Sequence, residues 1–251
     1  MKATRFLAFA AAIYLFVPTT LRAQRDDWGA SYNLELEKEI TKKFDISFEE
    51  EWRTRNDFQT TDRWMTTIGA DYKLNEMLKF GADYSLINYN SPNAKFAQWE
   101  VRHRWSAYLT ASAEVGRVKI SLREKYQQTI RMGVPSVSND STYNTETCKW
   151  DSNPKERSNP KKVLRSRLEL SYNIRKCKFE PFASVEVTNA LNDPEEDGIS
   201  RIRYTIGTEY KLNKQSSINV FYRFNDEREL GDSSDREIDS HYLGVGFSHK
   251  F

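Results

Sequence analysis

The stretch Ser240-His241-Tyr242-Leu243-Gly244-Val245-Gly246-Phe247-Ser248-His249-Lys250-Phe251 decides the fold. Leu243, Val245, Phe247 and Phe251 alternate with Tyr242, Gly244, Gly246, Ser248 and Lys250. A period of two puts the two sets on opposite faces of an extended strand, one apolar and one small or polar.

Working outward, the same alternation recurs ten times upstream. Trp28, Ala30, Tyr32, Leu34 and Leu36 oppose Ser31, Asn33, Glu35 and Glu37. Phe44, Ile46, Phe48 and Trp52 oppose Asp45, Ser47, Glu49, Glu51 and Arg53. Trp64, Thr66, Ile68, Ala70, Tyr72 and Leu74 oppose Arg63, Thr67, Gly69, Asp71 and Lys73, and Leu78, Phe80, Ala82, Tyr84 and Leu86 carry the next apolar face. Trp99, Val101, Trp105, Ala107 and Leu109 oppose Glu100, Arg102, Arg104 and Ser106; Val118, Ile120, Leu122 and Tyr126 oppose Lys119, Ser121, Arg123, Lys125 and Gln127. After residues 131–162, where periodicity lapses among Pro135, Pro154 and Pro160, the pattern resumes. Leu164, Leu168, Leu170, Tyr172 and Ile174 face away from Arg165, Arg167, Glu169 and Ser171. Pro181, Ala183, Val185 and Val187 face away from Glu180, Ser184 and Glu186. Ile202, Tyr204, Ile206, Tyr210 and Leu212 oppose Arg201, Arg203, Gly207, Glu209 and Lys211, and Ile218, Val220, Tyr222 and Phe224 precede the last strand.

Such strand content far exceeds the ~20–25% of ordinary globular domains. Short turns follow the odd-numbered strands and longer loops the even-numbered ones, as in barrels with short periplasmic turns and long extracellular loops. Trp28, Trp52, Trp64, Tyr84, Trp99 and Tyr126 fall at the long-loop ends; Phe44, Tyr72, Phe80, Tyr172, Phe179, Tyr210 and Phe251 fall towards the turns. Amphipathic rings at both edges of a greasy wall suit two membrane interfaces. The fold expected is therefore all-β: a transmembrane antiparallel up-and-down β-barrel of about 10 to 12 strands. Eleven segments can be counted, whereas single-chain bacterial barrels normally have even numbers. Either the first segment threads the lumen, or one segment lies outside the barrel, or a weakly patterned strand is hidden; ten or twelve is preferred.

Bulk properties agree with this reading. Mean hydropathy is −0.76, but only alternate residues of a barrel strand meet lipid, so window averages report polar sequence. The formal charge of +2, from 38 basic and 36 acidic residues, lacks the basic bias of nucleic-acid binding. Residues 1–23 read as a cleaved signal peptide: Lys2 and Arg5, an apolar run from Phe6 to Val17, then Leu21-Arg22-Ala23. Residues 24–251 would form one barrel domain, exported to the cell outer membrane, with 131–162 as a long extracellular loop. Cys148 and Cys177 would lie on opposite rims and stay unpaired, since bridging needs Cα atoms within ~7 Å.

The segments Ser121-Leu122-Arg123-Glu124-Lys125-Tyr126-Gln127, Leu164-Arg165-Ser166-Arg167-Leu168, Arg201-Ile202-Arg203-Tyr204 with Gly207 and Tyr210-Lys211-Leu212, and Gly244-Val245-Gly246-Phe247 resemble a family of exported bacterial outer-membrane barrels known only as a domain of unknown function, DUF2490. The resemblance spans essentially the whole chain after Ala23. It implies an outer-membrane barrel and assigns no activity or catalytic residue. An alternating strand ending on an aromatic also resembles the closing strand of bacterial outer-membrane barrels. Leu243, Val245, Phe247 and Phe251 would then be the signal read by the barrel-assembly machinery.

Glu49, Glu51, Arg63, Glu100, Arg102, Arg104, Arg123, Arg165, Arg167, Glu169, Arg201, Arg203 and Glu209 are expected to line the lumen. They could fill it as paired charges. Alternatively, Arg102 with Arg104 and Arg201 with Arg203 could make ladders favouring anions in a narrow solute or ion pore. An outer-membrane hydrolase is the second reading, resting on His241 beside Asp239 and Ser240, although adjacent strand residues face opposite ways. A soluble periplasmic barrel binding a small apolar ligand is the third, and it needs the two faces exchanged. No cofactor or metal is expected. Asp193, Glu195, Asp197 and Gly198 begin like a calcium loop, yet Tyr204 stands where a bidentate Glu is needed. Glu50, His103 and Glu124 fall on the apolar face and mark places where the register could slip. The expected partners are membrane lipid and the assembly machinery, with no nucleic acid and a monomeric state.

Overall fold

The computed structural model describes residues 26–91, 98–132, 137–144, 149–156, 160–192, 198–227 and 239–251. The signal segment, Cys148 and the acidic residues 193–197 lie outside them. In chain order the strands are β1 (Asp27–Thr41), β2 (Phe44–Arg55), β3 (Thr60–Lys73), β4 (Leu78–Ser91), β5 (Gln98–Val115), β6 (Val118–Arg131), β7 (Val137–Asn144), β8 (Lys149–Glu156), β9 (Lys161–Tyr172), β10 (Phe179–Ala190), β11 (Gly198–Lys211), β12 (Ser216–Glu227) and β13 (Ser240–Lys250). Eleven of them close a barrel in the cyclic order β1-β13-β12-β11-β10-β9-β6-β5-β4-β3-β2.

The count is odd because the barrel closes in parallel. Asp27 pairs with Ser240 and the register runs without a break to Glu37 opposite Lys250; all other barrel neighbours are antiparallel. The preference for ten or twelve strands therefore gives way to eleven, with β1 a full wall strand. Its lower end is fastened by the Phe251 amide donating to the Glu37 carbonyl at 2.8 Å and by Lys250 paired with Glu37. Its upper end is held by the Asp27 amide on the Asp239 carbonyl at 2.9 Å.

The two faces separate by polarity. Tyr32, Leu34, Ile68, Leu86, Leu109, Leu168, Val220, Leu243 and Val245 stand exposed on the outer wall, while Ser31, Asp45, Glu51, Thr67, Ser106 and Glu186 are buried inside. This is the reverse of a soluble barrel with an apolar interior, so the faces are not exchanged as the ligand-binding reading required. Rings on the outer wall stack between paired strands: Trp52 on Trp64 at 5.4 Å, Tyr32 on Trp52 at 5.0 Å, Trp28 on His241 at 4.7 Å and Tyr84 against Trp105 at 4.5 Å. At the opposite rim Phe179 meets Tyr210 at 4.7 Å and Phe251 meets His249 at 4.5 Å. Leu243, Val245 and Phe247 project outward from β13, and Phe251 follows it at the short-turn rim.

Glu50, His103 and Glu124 are no register slips. They sit on the outer wall and are satisfied across strands: Thr66 Oγ1 donates to Glu50 at 2.8 Å, Ser166 Oγ to Glu124 at 2.6 Å, and the Tyr84 hydroxyl meets His103 Nδ1 at 2.6 Å.

Two connections differ from expectation. Residues 54–61 read as a loop, but β2 runs to Arg55 and β3 starts at Thr60. The four residues between include Asn56, Asp57 and Phe58, all left-handed, a conformation uncommon outside glycine. It is stabilised by the Asn56 amide on Asp27 Oδ1 at 2.7 Å and the Phe58 amide on the Trp28 carbonyl at 3.1 Å. Residues 131–162 are not one loop either. β6 reaches Arg131, β9 begins at Lys161, and β7 pairs with β8 as a separate two-stranded sheet.

Candidate pore lumen

Every inward side chain owes its place to strand alternation, and what it faces is set by the register between strands. Two cavities occupy the interior. The one towards the long-loop rim measures about 830 Å3 and the one towards the short turns about 480 Å3.

Arginine dominates the larger cavity. Among the described residues, thirteen Arg and Lys side chains line it against five carboxylates. The smaller cavity is nearly balanced, with six cations against five carboxylates. Below, the rim is built from carboxylates capped by lysine: Lys73 on Asp45 at 2.9 Å, Lys79 on Asp71 at 3.2 Å and Lys211 on Glu180 at 2.5 Å. The nearly neutral chain thus sorts its charge along the barrel axis.

The expected lumen residues fall as follows. Glu49, Glu51, Arg63, Arg102, Arg104, Arg123, Arg165, Arg167, Arg201 and Arg203 line the larger cavity, and Glu169 and Glu209 the smaller. Glu100 lines neither but pairs with Arg102 at 2.9 Å on the same face. Arg53 and Ser31 occupy Glu51, at 2.6 and 3.0 Å. Asp62 holds Arg63 at 2.6 Å, and Glu227 holds Arg201 at 2.5 Å. Arg102 lies 3.7 Å above the Tyr89 ring and Arg63 5.1 Å from it, so both guanidiniums gain cation–π contact.

Glu186 is the hub of the far wall. Its Oε1 accepts from Arg165 Nη2 at 2.6 Å and from Arg203 Nη1 at 3.2 Å. Arg203 Nε also donates to Asn225 at 2.7 Å, and Arg165 Nη1 to Gln127 at 3.0 Å. One register row crosses five strands here: Arg123 opposite Arg167, Arg167 opposite Glu186, Glu186 opposite Arg203, and Arg203 opposite Asn225. The arginine ladder therefore runs around the barrel as well as along each strand.

Several pairings oppose like charges: Arg53 with Arg63, Arg123 with Arg167, Lys125 with Arg165 and Arg102 with Arg131. Directly opposed like charges are destabilising. Three lumen arginines also have no carboxylate within ion-pair distance among the described residues. Arg104 rests on Thr129 Oγ1 at 3.2 Å and the Met65 sulfur at 3.6 Å. Arg123 donates to Thr110 Oγ1 at 3.1 Å. Arg223 lies 4.7 Å over the Phe221 ring, and its Nε and Nη1 are buried without a hydrogen-bond partner.

Arg53, Glu186 and Arg223 also reach the lumen, on the inner face where the same alternation puts them. Tyr89 was missed because the apolar pattern of β4 fades after Leu86 while the strand continues to Ser91. His241 is on the outer wall with the Tyr222 hydroxyl at 2.7 Å and Asp26 at 3.8 Å; Ser240, inside, accepts from Asn225 at 2.9 Å. They do not meet. His249 bonds Ser216 at 2.9 Å near the short-turn rim, and Cys177 is a free, exposed thiol in the turn after β9.

A closed barrel with an apolar, ring-girdled exterior and a charged interior is a porin-like β-barrel. The chain belongs to the family described as Protein of unknown function (DUF2490), whose model matches residues 28–234. No curated protein matches it in sequence. The barrel is similar to that of the NanC porin, with a TM-score of 0.50 and 12% identity over 90% of this chain and 99% of that one. A bacterial polysaccharide outer membrane secretin gives a looser likeness, with a TM-score of 0.47 and 10% identity over 82% and 74% of the two chains. At these identities the likeness is one of fold.

Proposed function

We propose that the protein is a non-enzymatic pore of the bacterial outer membrane that favours anions, with its long loops outside and its short turns in the periplasm. The carrying observation is the cation excess among the described residues of the larger cavity, thirteen against five, together with Arg104, Arg123 and Arg223, which have no carboxylate within ion-pair distance among those residues. A lumen filled only for stability would gain most from opposite charges across each strand pair. Here cations of the larger cavity's lining are opposed in four places, a cost that a mobile anion would offset, while carboxylates are opposed at Glu35 with Glu49, Asp45 with Asp71 and Glu180 with Glu209. Guanidinium forks suit oxyanions, and rings of Arg and Lys are the usual lining of anion pores. Export by the amino-terminal signal and insertion by the assembly machinery, through the outward face of β13, complete the reading.

Purified protein in a planar bilayer under a salt gradient tests it. A steady current whose reversal potential favours chloride is expected. A silent bilayer would leave a structural barrel, and cation selectivity would overturn the charge argument. A heat-dependent shift on an SDS gel checks separately that the barrel is folded.

A further inference from the structure

We infer that the waist of the lumen is a binding site for a doubly charged tetrahedral oxyanion, phosphate or sulfate, either free or as the head of a small ester, held among Arg123, Arg167, Arg203 and Arg223. The ligand's route to the waist rests on the pore reading, whereas the site itself rests on the following geometry.

The two cavities share six residues: Asn33, Arg123, Arg167, Glu186, Arg203 and Arg223. These stand at the junction of the two cavities. Four guanidiniums meet one carboxylate there, and that carboxylate already accepts from Arg165 and Arg203 through the same oxygen. Arg167 reaches Glu169 only at 3.9 Å. Arg123 stands directly opposite Arg167, and its partners among the described residues are a threonine hydroxyl and the Tyr108 ring.

Arg223 supplies the second observation. Its Nε and Nη1 lie on different edges of the guanidinium plane, the side-on edge being Nε with Nη2, as Arg53 offers Glu51 and Arg165 offers Glu186. Nε and Nη1 of Arg223 are both buried and unused, while the plane is fixed by the Phe221 ring beneath it at 4.7 Å. Leaving charged donors unsatisfied is expensive, and an anion set among the four guanidiniums offsets that cost. The donors come from β6, β9, β11 and β12, so they approach from different directions. A planar carboxylate answers one fork and chloride answers none; a tetrahedral dianion presents oxygens to several. The local excess of three positive charges also calls for more than one negative charge.

Calorimetric titration of the detergent-solubilised, folded protein tests this without requiring a current. Inorganic phosphate and sulfate should bind saturably, at one ion per barrel, while chloride and acetate at equal ionic strength should not. Arg223→Gln should weaken binding roughly tenfold or more, the effect of removing one charge-assisted contact. Arg123→Gln should weaken it too, and Arg63→Gln, outside the waist, should leave it intact; the SDS gel shift verifies that each variant folds. Glycerol 3-phosphate binding as tightly as phosphate would identify an ester head group as acceptable, and its exclusion would restrict the site to the free ion. No saturable heat with either dianion, or an unchanged Arg223→Gln, overturns the proposal. A silent bilayer alongside saturable phosphate binding would defeat the pore and keep the site; a conducting pore without binding would do the reverse.

Discussion

Gly244→Ala probes the seam and the lumen together. A Cβ at position 244 would stand 2.1 to 2.4 Å from three ring carbons of Phe221, where carbon atoms settle at ~3.5–4.0 Å. The ring would have to retreat by about 1.5 Å to reach that separation. Along the wall the Phe182 ring crowds the same spot beside Gly207 as the Phe221 Cβ, each 2.7 Å from where a Cβ on Gly207 would stand. The Phe221 ring can swing into the cavity, so part of the strain relaxes. Overpacking typically costs ~1–3 kcal/mol; with one open side, about 1–2 kcal/mol is expected here. Urea unfolding in lipid vesicles, followed by tryptophan fluorescence, should be run on wild type, Gly244→Ala, Phe221→Ala and the double variant. Once the ring is gone, the added methyl should cost less than about 0.5 kcal/mol, the usual limit for uncoupled sites. Because Arg223 rests on the ring, Gly244→Ala should also weaken phosphate binding. Additive stability effects, or a Gly244→Ala protein as stable as wild type, would refute the packing described.

Replacing Arg104 and Arg123 together by Glu should move the reversal potential towards cations, and wild-type selectivity should fade as salt rises from 0.1 to 1 M, because the screening length shrinks from ~10 to ~3 Å. Glu186→Gln should lower stability by about 1.5–3 kcal/mol, the range for hydrogen bonds to a charged group, while increasing anion preference; vesicle unfolding and bilayer recording read the two effects. On the outer wall, Glu124→Leu combined with Ser166→Ala should raise the unfolding free energy in urea by about 1 kcal/mol, since a carboxylate facing lipid is unfavourable. Lys250→Met should cost under ~1 kcal/mol, as partly exposed ion pairs do, despite its contacts with Glu37, Glu39 and Asp45.

The sequence shows clearly which way each side chain points. Alternation is a local property, so Leu243 outward and Arg203 inward follow from their neighbours alone. Pairing between strands is not local. That Arg123 faces Arg167, or that Glu186 gathers Arg165 and Arg203, depends on the stagger of β6, β9, β10 and β11, which no single segment encodes. Parity escaped for a related reason: a period of two looks the same whether a strand's neighbour runs with it or against it, so β1 carries no mark of its parallel contact with β13. The turn at Asn56-Asp57-Phe58 was obscured because a left-handed Phe is not a residue that signals a tight turn, and 137–156 because its two strands have no apolar face to alternate.

The parallel seam also limits how this chain could be rewired. In an even-stranded barrel the first and last strands end at the same rim, and a short loop can join them to give a circular permutant. Here Asp27 sits beside Ser240 and Glu37 beside Lys250, so a linker from Phe251 back to Asp27 must climb the full wall. Eleven paired positions at ~3.3 Å each put that climb at about 35 Å, and inside the barrel it would pass between Arg123 and Arg223. A permutant with a turn-length linker should fail to close, and one with a linker of roughly a dozen residues or more should fold with its own lumen threaded.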